Sequence, residues 1–322
     1  MSKRVLITGG AGFIGSNLAD SLLAKGDQVV VIDNFNDYYD PQAKRRNIEA
    51  QLPNRQYRLV EGDIRSEASL KEAFAGEPFD VVVHLAAMAG VRPSLEKPAL
   101  YFDVNVGGTQ KLVDMIVPSA GRTRLVFASS SSVYGARSGE AFIESDRVCE
   151  PISPYAASKA GNELQLHSTH HTTGLPVVCL RFFTVFGPRQ RPDLAIHKFC
   201  HLIEKGKTIE LYGDGKSRRD YTFVLDTVAG VEAAMSYEFS GYDIINLGRG
   251  EPVSLIEMVE ALEKHLGKKA NIVYKPMPVG DVPYTYADIS HARDVLGYKP
   301  STTFDEGVRQ FVAWYRKCHA PV

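Results

Sequence analysis

Cysteine is scarce. The chain has four in 322 residues, Cys149, Cys179, Cys200 and Cys318, at irregular spacings and without a C-x-x-C pair. That excludes a disulfide framework and points to a reduced, cytoplasmic setting. An excess of one charge is also missing: 37 Lys+Arg face 38 Asp+Glu, a formal net charge of -1. Without a basic field, nucleic acid is not expected as a partner. No apolar run approaches the ~18–20 residues of a membrane span. The run Val5–Thr8 stops at Gly9, too short for a signal-peptide core. Neither membrane insertion nor export is therefore expected. His167, His170 and His171 share one expected helix, and His197 and His201 are four apart, but no third ligand accompanies them, so no metal is expected. With 44% hydrophobic and 23% charged residues the chain has the composition of an ordinary folded protein. Its length fits about two domains of ~150 residues, enough to bury a core unaided.

Short β-branched runs alternate with helical spacing. Val5 to Thr8 reads as a strand, Phe13 to Lys25 as a helix closed by Gly26, and Val29 to Ile32 as a second strand. Tyr57 to Val60 (strand), Ser66 to Phe74 (helix), Val81 to Leu85 (strand), Leu100 to Val117 (helix) and Leu125 to Ala128 (strand) continue the pattern. A helix opening at Ser153-Pro154 and a strand over Val177 to Phe182 complete it. Continuous apolar strands separated by helices predict an α/β fold, a doubly wound parallel sheet of Rossmann type covered on both faces. After about Arg181, turn signals such as Gly187-Pro188 and Gly213-Asp214-Gly215 multiply. The expected division is 1–181 for the first domain, with roughly 222–247 returning to it, and 182–322 for a smaller α/β domain.

Gly9-Gly10-Ala11-Gly12-Phe13-Ile14-Gly15 lies between the first strand and the first helix. It satisfies G-x-G-x-x-G in the context that makes the pattern specific for dinucleotides, with the pyrophosphate against the helix-start N–H groups. Asp33 ends the second strand, 18 residues after Gly15. A carboxylate there accepts from both ribose hydroxyls and repels a 2′-phosphate, which favours NAD over NADP. Asp63-Ile64, after the third strand, is expected at the adenine edge. Lys44-Arg45-Arg46 reads as a solvated basic run.

In Ser153-Pro154-Tyr155-Ala156-Ala157-Ser158-Lys159, Ser153 is a good N-cap and Pro154 suits the first helical position. Tyr155 and Lys159 are i, i+4 and share a face. An ammonium group nearby lowers a phenol's pKa, so the pair could remove a proton from a sugar or alcohol hydroxyl. A solvated helix face has the same spacing. Ser129 to Ser132 follow the strand ending at Ala128, where ligands bind in open parallel sheets.

These motifs, together with H-L-A-A at 84–87, N-x-x-G-T at 105–109 and V-Y-G at 133–135, make the chain resemble the extended short-chain dehydrogenase/reductase family over essentially its whole length. Within that family it most resembles the NAD-dependent nucleotide-sugar 4-epimerases. The resemblance implies NAD held by Gly9, Gly12, Phe13, Ile14, Gly15, Asp33, Asp63, Ile64, Leu85, Ala86, Ala87, Asn105, Tyr155 and Lys159. It implies Tyr155 as base, Lys159 as its modulator and ribose contact, and Ser130 as the hydroxyl partner at the substrate C4 oxygen. It also implies a homodimer through helices at roughly 100–116 and 154–172.

Departures from relatives narrow the reaction. Sugar-nucleotide dehydratases of this family carry acidic residues at the two positions after the catalytic Ser/Thr, and UDP-glucuronate decarboxylases usually have a glutamate at the second. Here those positions are Ser131 and Ser132. Thr184 stands where glucose/galactose epimerases typically place an asparagine. Met277 to Asp288 resembles a segment of UDP-glucuronate 4-epimerases, with Pro278 replacing an arginine of the glucose enzymes and Thr285 replacing a tyrosine that narrows the pocket in galactose-only relatives. The resemblance therefore favours C4 epimerisation of UDP-glucuronate/UDP-galacturonate. Ser130, Ser131, Thr184, Arg191, Asp281 and Thr285 are the candidate sugar contacts, with Arg219 on the diphosphate. Arg191 could equally pair with Asp193, and Arg219 with Asp220 or Asp214. UDP-glucose or UDP-N-acetylglucosamine epimerisation, a net sugar-nucleotide dehydrogenase or reductase, and a non-catalytic NAD-binding regulator remain the alternatives.

Overall fold

The structure is a computed structural model and describes residues 2–136, 140–239, 241–276 and 284–318. In chain order the first elements are β1 (Arg4–Thr8), α1 (Phe13–Ala24), β2 (Gln28–Asp33), α2 (Pro41–Ile48), β3 (Tyr57–Glu61), α3 (Glu67–Ala73) and β4 (Val81–His84). Then come α4 (Val91–Glu96), α5 (Pro98–Phe102), α6 (Thr109–Ile116), β5 (Arg124–Ser130), α7 (Pro154–Thr173) and β6 (Val177–Phe182). The remainder is β7 (Thr184–Phe186), α8 (Ala195–Glu204), β8 (Thr208–Tyr212), β9 (Arg218–Phe223), α9 (Val224–Ser236), β10 (Tyr242–Leu247), β11 (Pro252–Ser254), α10 (Leu255–Leu266), β12 (Asn271–Lys275), β13 (Tyr284–Thr285), α11 (Ser290–Leu296) and α12 (Phe304–Cys318).

Seven strands form one sheet in the order β10-β6-β5-β4-β1-β2-β3, every neighbouring pair parallel. Alternate side chains go to opposite layers. Val5, Ile7, Val29, Val31 and Val83 pack with Leu18 and Leu22 of α1 and Val228 and Val231 of α9. Leu6, Val30, Val82, Leu125 and Phe127 pack with Leu70 of α3, Leu112 and Ile116 of α6 and Leu166 of α7. Burial on both faces explains why β4 and β6 are apolar almost throughout. Strand order reverses at β1, between β2 and β4, so the carboxyl ends of β1, β2, β4, β5 and β6 open onto one crevice. A second group of strands, β11-β9-β13 with β7 also on β9, stands beyond the end of β6.

The helix expected over 100–117 is interrupted. Residues 103–108 form a π-type turn between α5 and α6. The Asn105 carbonyl explains it, because it accepts hydrogen bonds from the Thr109 hydroxyl (2.5 Å) and the Asn162 amide (2.9 Å). Such side-chain competition, beside the poor helix formers Gly107 and Gly108, loosens the ladder. A Cβ on Gly108 would fall 2.8 Å from Ile64, so the gap this turn leaves is filled.

Helix α7 starts as its sequence dictates. Ser153 is extended and its hydroxyl accepts from the Ala156 N–H at 3.1 Å, and Pro154 follows. Ser153→Ala should lower stability by about 1 kcal/mol in urea denaturation, the cost of losing an N-cap.

Candidate functional site

The crevice at the reversal is a cleft of about 640 Å³, within the range that takes a small-molecule ligand. Its floor is the turn after β1. Gly9 has φ +69°, and a Cβ there would fall 2.9 Å from the Ala86 backbone. A Cβ on Gly15 would lie 2.6 Å from the Gly9 carbonyl. Glycine at these two positions lets the β1 turn, the start of α1 and the segment after β4 meet in one layer. Gly12 caps α1 without a side-chain bond, which leaves first-turn N–H groups facing the cleft that Gly9, Gly12, Phe13, Ile14 and Gly15 line. Leu85, Ala86 and Ala87, the segment after β4, line the cleft beside this turn.

Asp33 ends β2 inside this cleft. Its carboxylate accepts from the N–H groups of Phe35 (2.9 Å) and Ala11 (3.2 Å) and from Lys44 Nζ (3.1 Å). The expected solvated run 44–46 is thus corrected: Lys44 is buried in an ion pair with Asp33. On α2, Lys44, Asn47 and Ile48 share the inward face, while Arg45 turns outward to Glu61. The i, i+3, i+4 spacing with Ile48 was the available signal. Asp63 and Ile64 line the cleft, and hydrogen bonds from Arg65, opposed by partial burial, bring the Asp63 carboxyl down to about 2. Arg65 and Asn34 occupy both its oxygens. Asn105 lies behind the lining residues of the cleft, bonded to the Met88 N–H and carbonyl and to Ser158.

Ser130, Tyr155 and Lys159 come together at the end of β5. Ser130 is the last residue of the strand and lines the same cleft as Tyr155, and its hydroxyl accepts from the Ser132 hydroxyl at 2.9 Å. Lys159 is buried and donates to the Ala128 carbonyl at 2.7 Å, over the Phe127 ring. Burial dominates both titrations. It pushes the Tyr155 phenol up, with the Ser130 hydrogen bond and Arg191 pulling the other way. It brings Lys159 down to about 7. The expected pull of the Lys159 ammonium on the phenol is not a leading influence here, because that ammonium is turned to the strand carbonyl.

The second group of strands closes the far side. Thr184 of β7 pairs with Tyr221 of β9, and Arg219 of β9 pairs with Thr285 of β13. The register carries Thr184, Arg219 and Thr285 to the cleft, which Ser131 and Arg191 also line. Arg191 fulfils both expectations for it: it faces the cleft and grips Asp193 through two bonds of 2.7 and 3.0 Å. Asp220 is committed to the N–H groups of Arg249, Gly250 and Ala287. Asp281 lies outside the described residues, as do 277–280 and 282–283 of the segment around it. Tyr38 went unnoticed in the sequence; its ring lies 5.1 Å from the Arg191 guanidinium, in the cleft. Its only sequence signal was an aromatic pair, Tyr38-Tyr39, inside an Asn/Asp-rich loop.

A family model described as GDP-mannose 4,6 dehydratase matches residues 6–311. The chain belongs to that family, among the extended short-chain dehydrogenases/reductases. It is 42% identical over 328 residues to UDP-glucuronate 4-epimerase 1 of Arabidopsis thaliana, covering 97% of this chain and 76% of the relative. The UDP-glucuronic acid 4-epimerase of Bacillus cereus, solved with UDP-glucuronic acid and NAD, superposes with a TM-score of 0.90 at 34% identity, covering 98% of this chain and 100% of that one. The UDP-N-acetylglucosamine 4-epimerase of Methanobrevibacter ruminantium, solved with UDP-N-acetylmuramic acid, gives 0.89 at 32% identity, covering 98% and 99%.

Lys44→Met would leave Asp33 buried without its counter-charge. It should cost about 3 kcal/mol in urea denaturation, whereas a purely solvated lysine would cost less than about 0.5 kcal/mol.

Proposed function

We propose that this chain is an NAD-dependent epimerase that inverts C4 of a UDP-sugar, with UDP-glucuronate and UDP-galacturonate as its preferred pair. The observation that carries the reading is the convergence of Ser130, Tyr155 and Lys159 on one cleft, with the glycine turn on one side and Thr184, Arg191 and Arg219 on the other. The dinucleotide fits. A Cβ at Gly9 or Gly15 would fill the cradle, first-turn N–H groups suit a pyrophosphate, and Asp33 suits ribose hydroxyls. Gly9, Gly12, Phe13, Ile14, Gly15, Asp33, Ile64 and Leu85 to Ala87 would hold it. NAD supplies a reversible hydride acceptor, so the C4 hydrogen leaves with its electron pair and returns to the opposite face with no net redox change.

The chain's own residues handle the proton and the position. Tyr155 takes the proton of the C4 hydroxyl and gives it back, with Ser130 bonded to the same oxygen. Lys159, on the same helix face as Tyr155, contacts the cofactor ribose. Arg219 holds the diphosphate with a planar guanidinium. Dehydration or decarboxylation would draw on an acidic side chain at 131 or 132, and both are serines. A uronate carries its own hazard, because its 4-keto form is a β-keto acid that can lose CO2. Thr184 and Arg191 hold the carboxylate so that its C–C bond stays out of line with the carbonyl π system. Arg191 is pre-oriented for this by Asp193 and the Tyr38 ring.

Residues 1–181, with about 222–247, serve as the NAD domain and 182–322 as the sugar-nucleotide domain. The enzyme is cytoplasmic. In support, all four cysteines are free, and among the described residues no helix is long and apolar enough to cross a membrane. It is a homodimer through the helices at roughly 100–116 and 154–172, where Phe102 and Leu164 are exposed at 45% and 73%.

Purified protein incubated without added cofactor should convert UDP-glucuronate to UDP-galacturonate by NMR, in preference to UDP-glucose and UDP-N-acetylglucosamine. Accumulating NADH or no turnover would refute the epimerase reading, and a reversed preference would refute the uronate. Tyr155→Phe should lower kcat by about 10²–10⁴-fold, and Thr184→Ala should weaken uronate turnover and release a decarboxylated product. Sedimentation should give a dimer that Leu164→Arg splits; a wild-type monomer would refute the dimer.

A further inference from the structure

Helix α7 carries a third ionisable residue in line with the site. Tyr155, Lys159 and Glu163 stand at i, i+4 and i+8, on one face. Glu163 is 3% exposed and does not line the cleft, so it touches nothing bound there. It is nonetheless gripped from two strands. Arg181 of β6, 1% exposed, donates Nε at 2.9 Å and Nη2 at 2.8 Å to its two oxygens. Ser129 of β5, the residue before Ser130, donates its hydroxyl at 2.5 Å. A buried ion pair adds little net stability over apolar residues of the same size, so its presence invites another explanation.

We propose that Glu163, clamped by Arg181 and Ser129, is the positioning residue that keeps Lys159 charged. This rests on the epimerase reading and deepens it. The groups facing Lys159 decide the matter. β5 offers the Ala128 carbonyl and the Phe127 ring. β4 offers His84, which burial and the neighbouring lysine lower to about 3, so it is neutral. β6 offers Cys179, whose thiol burial pushes well above its ordinary range, so it too is neutral, and Arg181, whose charge is matched by Glu163. α7 itself offers Tyr155 and Glu163. Glu163, one turn along the same face of α7, is the carboxylate of this set, and it opposes the burial that draws Lys159 down to about 7. The same carboxylate ties the helix bearing Tyr155 to the strand bearing Ser130.

The test reads Lys159 directly. The whole chain, labelled with 15N at the lysine Nζ and assigned with Lys159→Met, is titrated by NMR. The variants are Ser129→Ala, Glu163→Gln, and Glu163→Gln combined with Arg181→Met, which removes both buried charges together and so protects folding. The Lys159 midpoint should fall by about one unit, a tenfold change in its proton affinity, in Glu163→Gln, which leaves the Arg181 charge unopposed, and by less in Ser129→Ala and in the double variant, which removes both charges of the pair. In turnover, the alkaline fall of kcat should move to lower pH by the same amount, whereas a merely structural role would scale kcat equally at every pH. Unchanged midpoints in folded variants would overturn the proposal. If the wild type inverts no UDP-sugar, the epimerase reading fails alone, because the midpoint is measured without turnover.

Discussion

The bond from Lys159 Nζ to the Ala128 carbonyl, 2.7 Å long, joins a helix to the last turn of a strand. Much of the site follows from it. Four residues before Lys159 the helix presents Tyr155, and two residues after Ala128 the strand presents Ser130, so both come to the same cleft. The contact is formed in a buried layer where the ammonium has few alternatives to that carbonyl. Satisfying a buried donor in this way is an obligation of folding. Here it also places the reactive groups.

The cost of that placement is electrostatic. Burial raises the phenol and lowers the amine, opposite to what a phenolate–ammonium pair needs. The site is therefore a balance in which nearby polar groups work against desolvation. Ser130 and Arg191 act on Tyr155, and Glu163 acts on Lys159. The charges nearby are themselves paired, Arg191 with Asp193 and Glu163 with Arg181. Acid–base groups tuned by burial are characteristic of sites that move protons.

Much of this was legible in the chain. Strand runs such as Val177 to Phe182 are apolar because both faces are covered, and that pattern survives without any structure. The glycine turn, Asp33 and the Tyr155/Lys159 spacing are local, so spacing alone revealed them. What escaped depends on tertiary return. Lys44 looks like one of three solvated cations until α2 folds over the end of β2. Tyr38 belongs to the site only because its loop crosses toward Arg191. Asn105 sits in a family motif, yet its amide is used behind the cleft on Met88. The turn at 103–108 depends on Asn162, which is 57 residues away from the carbonyl it engages. No window of neighbouring residues contains these facts.

The reaction turns on a C4 hydrogen that departs with its electrons and comes back to the same carbon. UDP-glucuronate carrying deuterium at C4, converted in ordinary water and followed by NMR, tests it most directly. The deuterium should be found at C4 of the inverted product. Replacement of that deuterium by solvent hydrogen would contradict it.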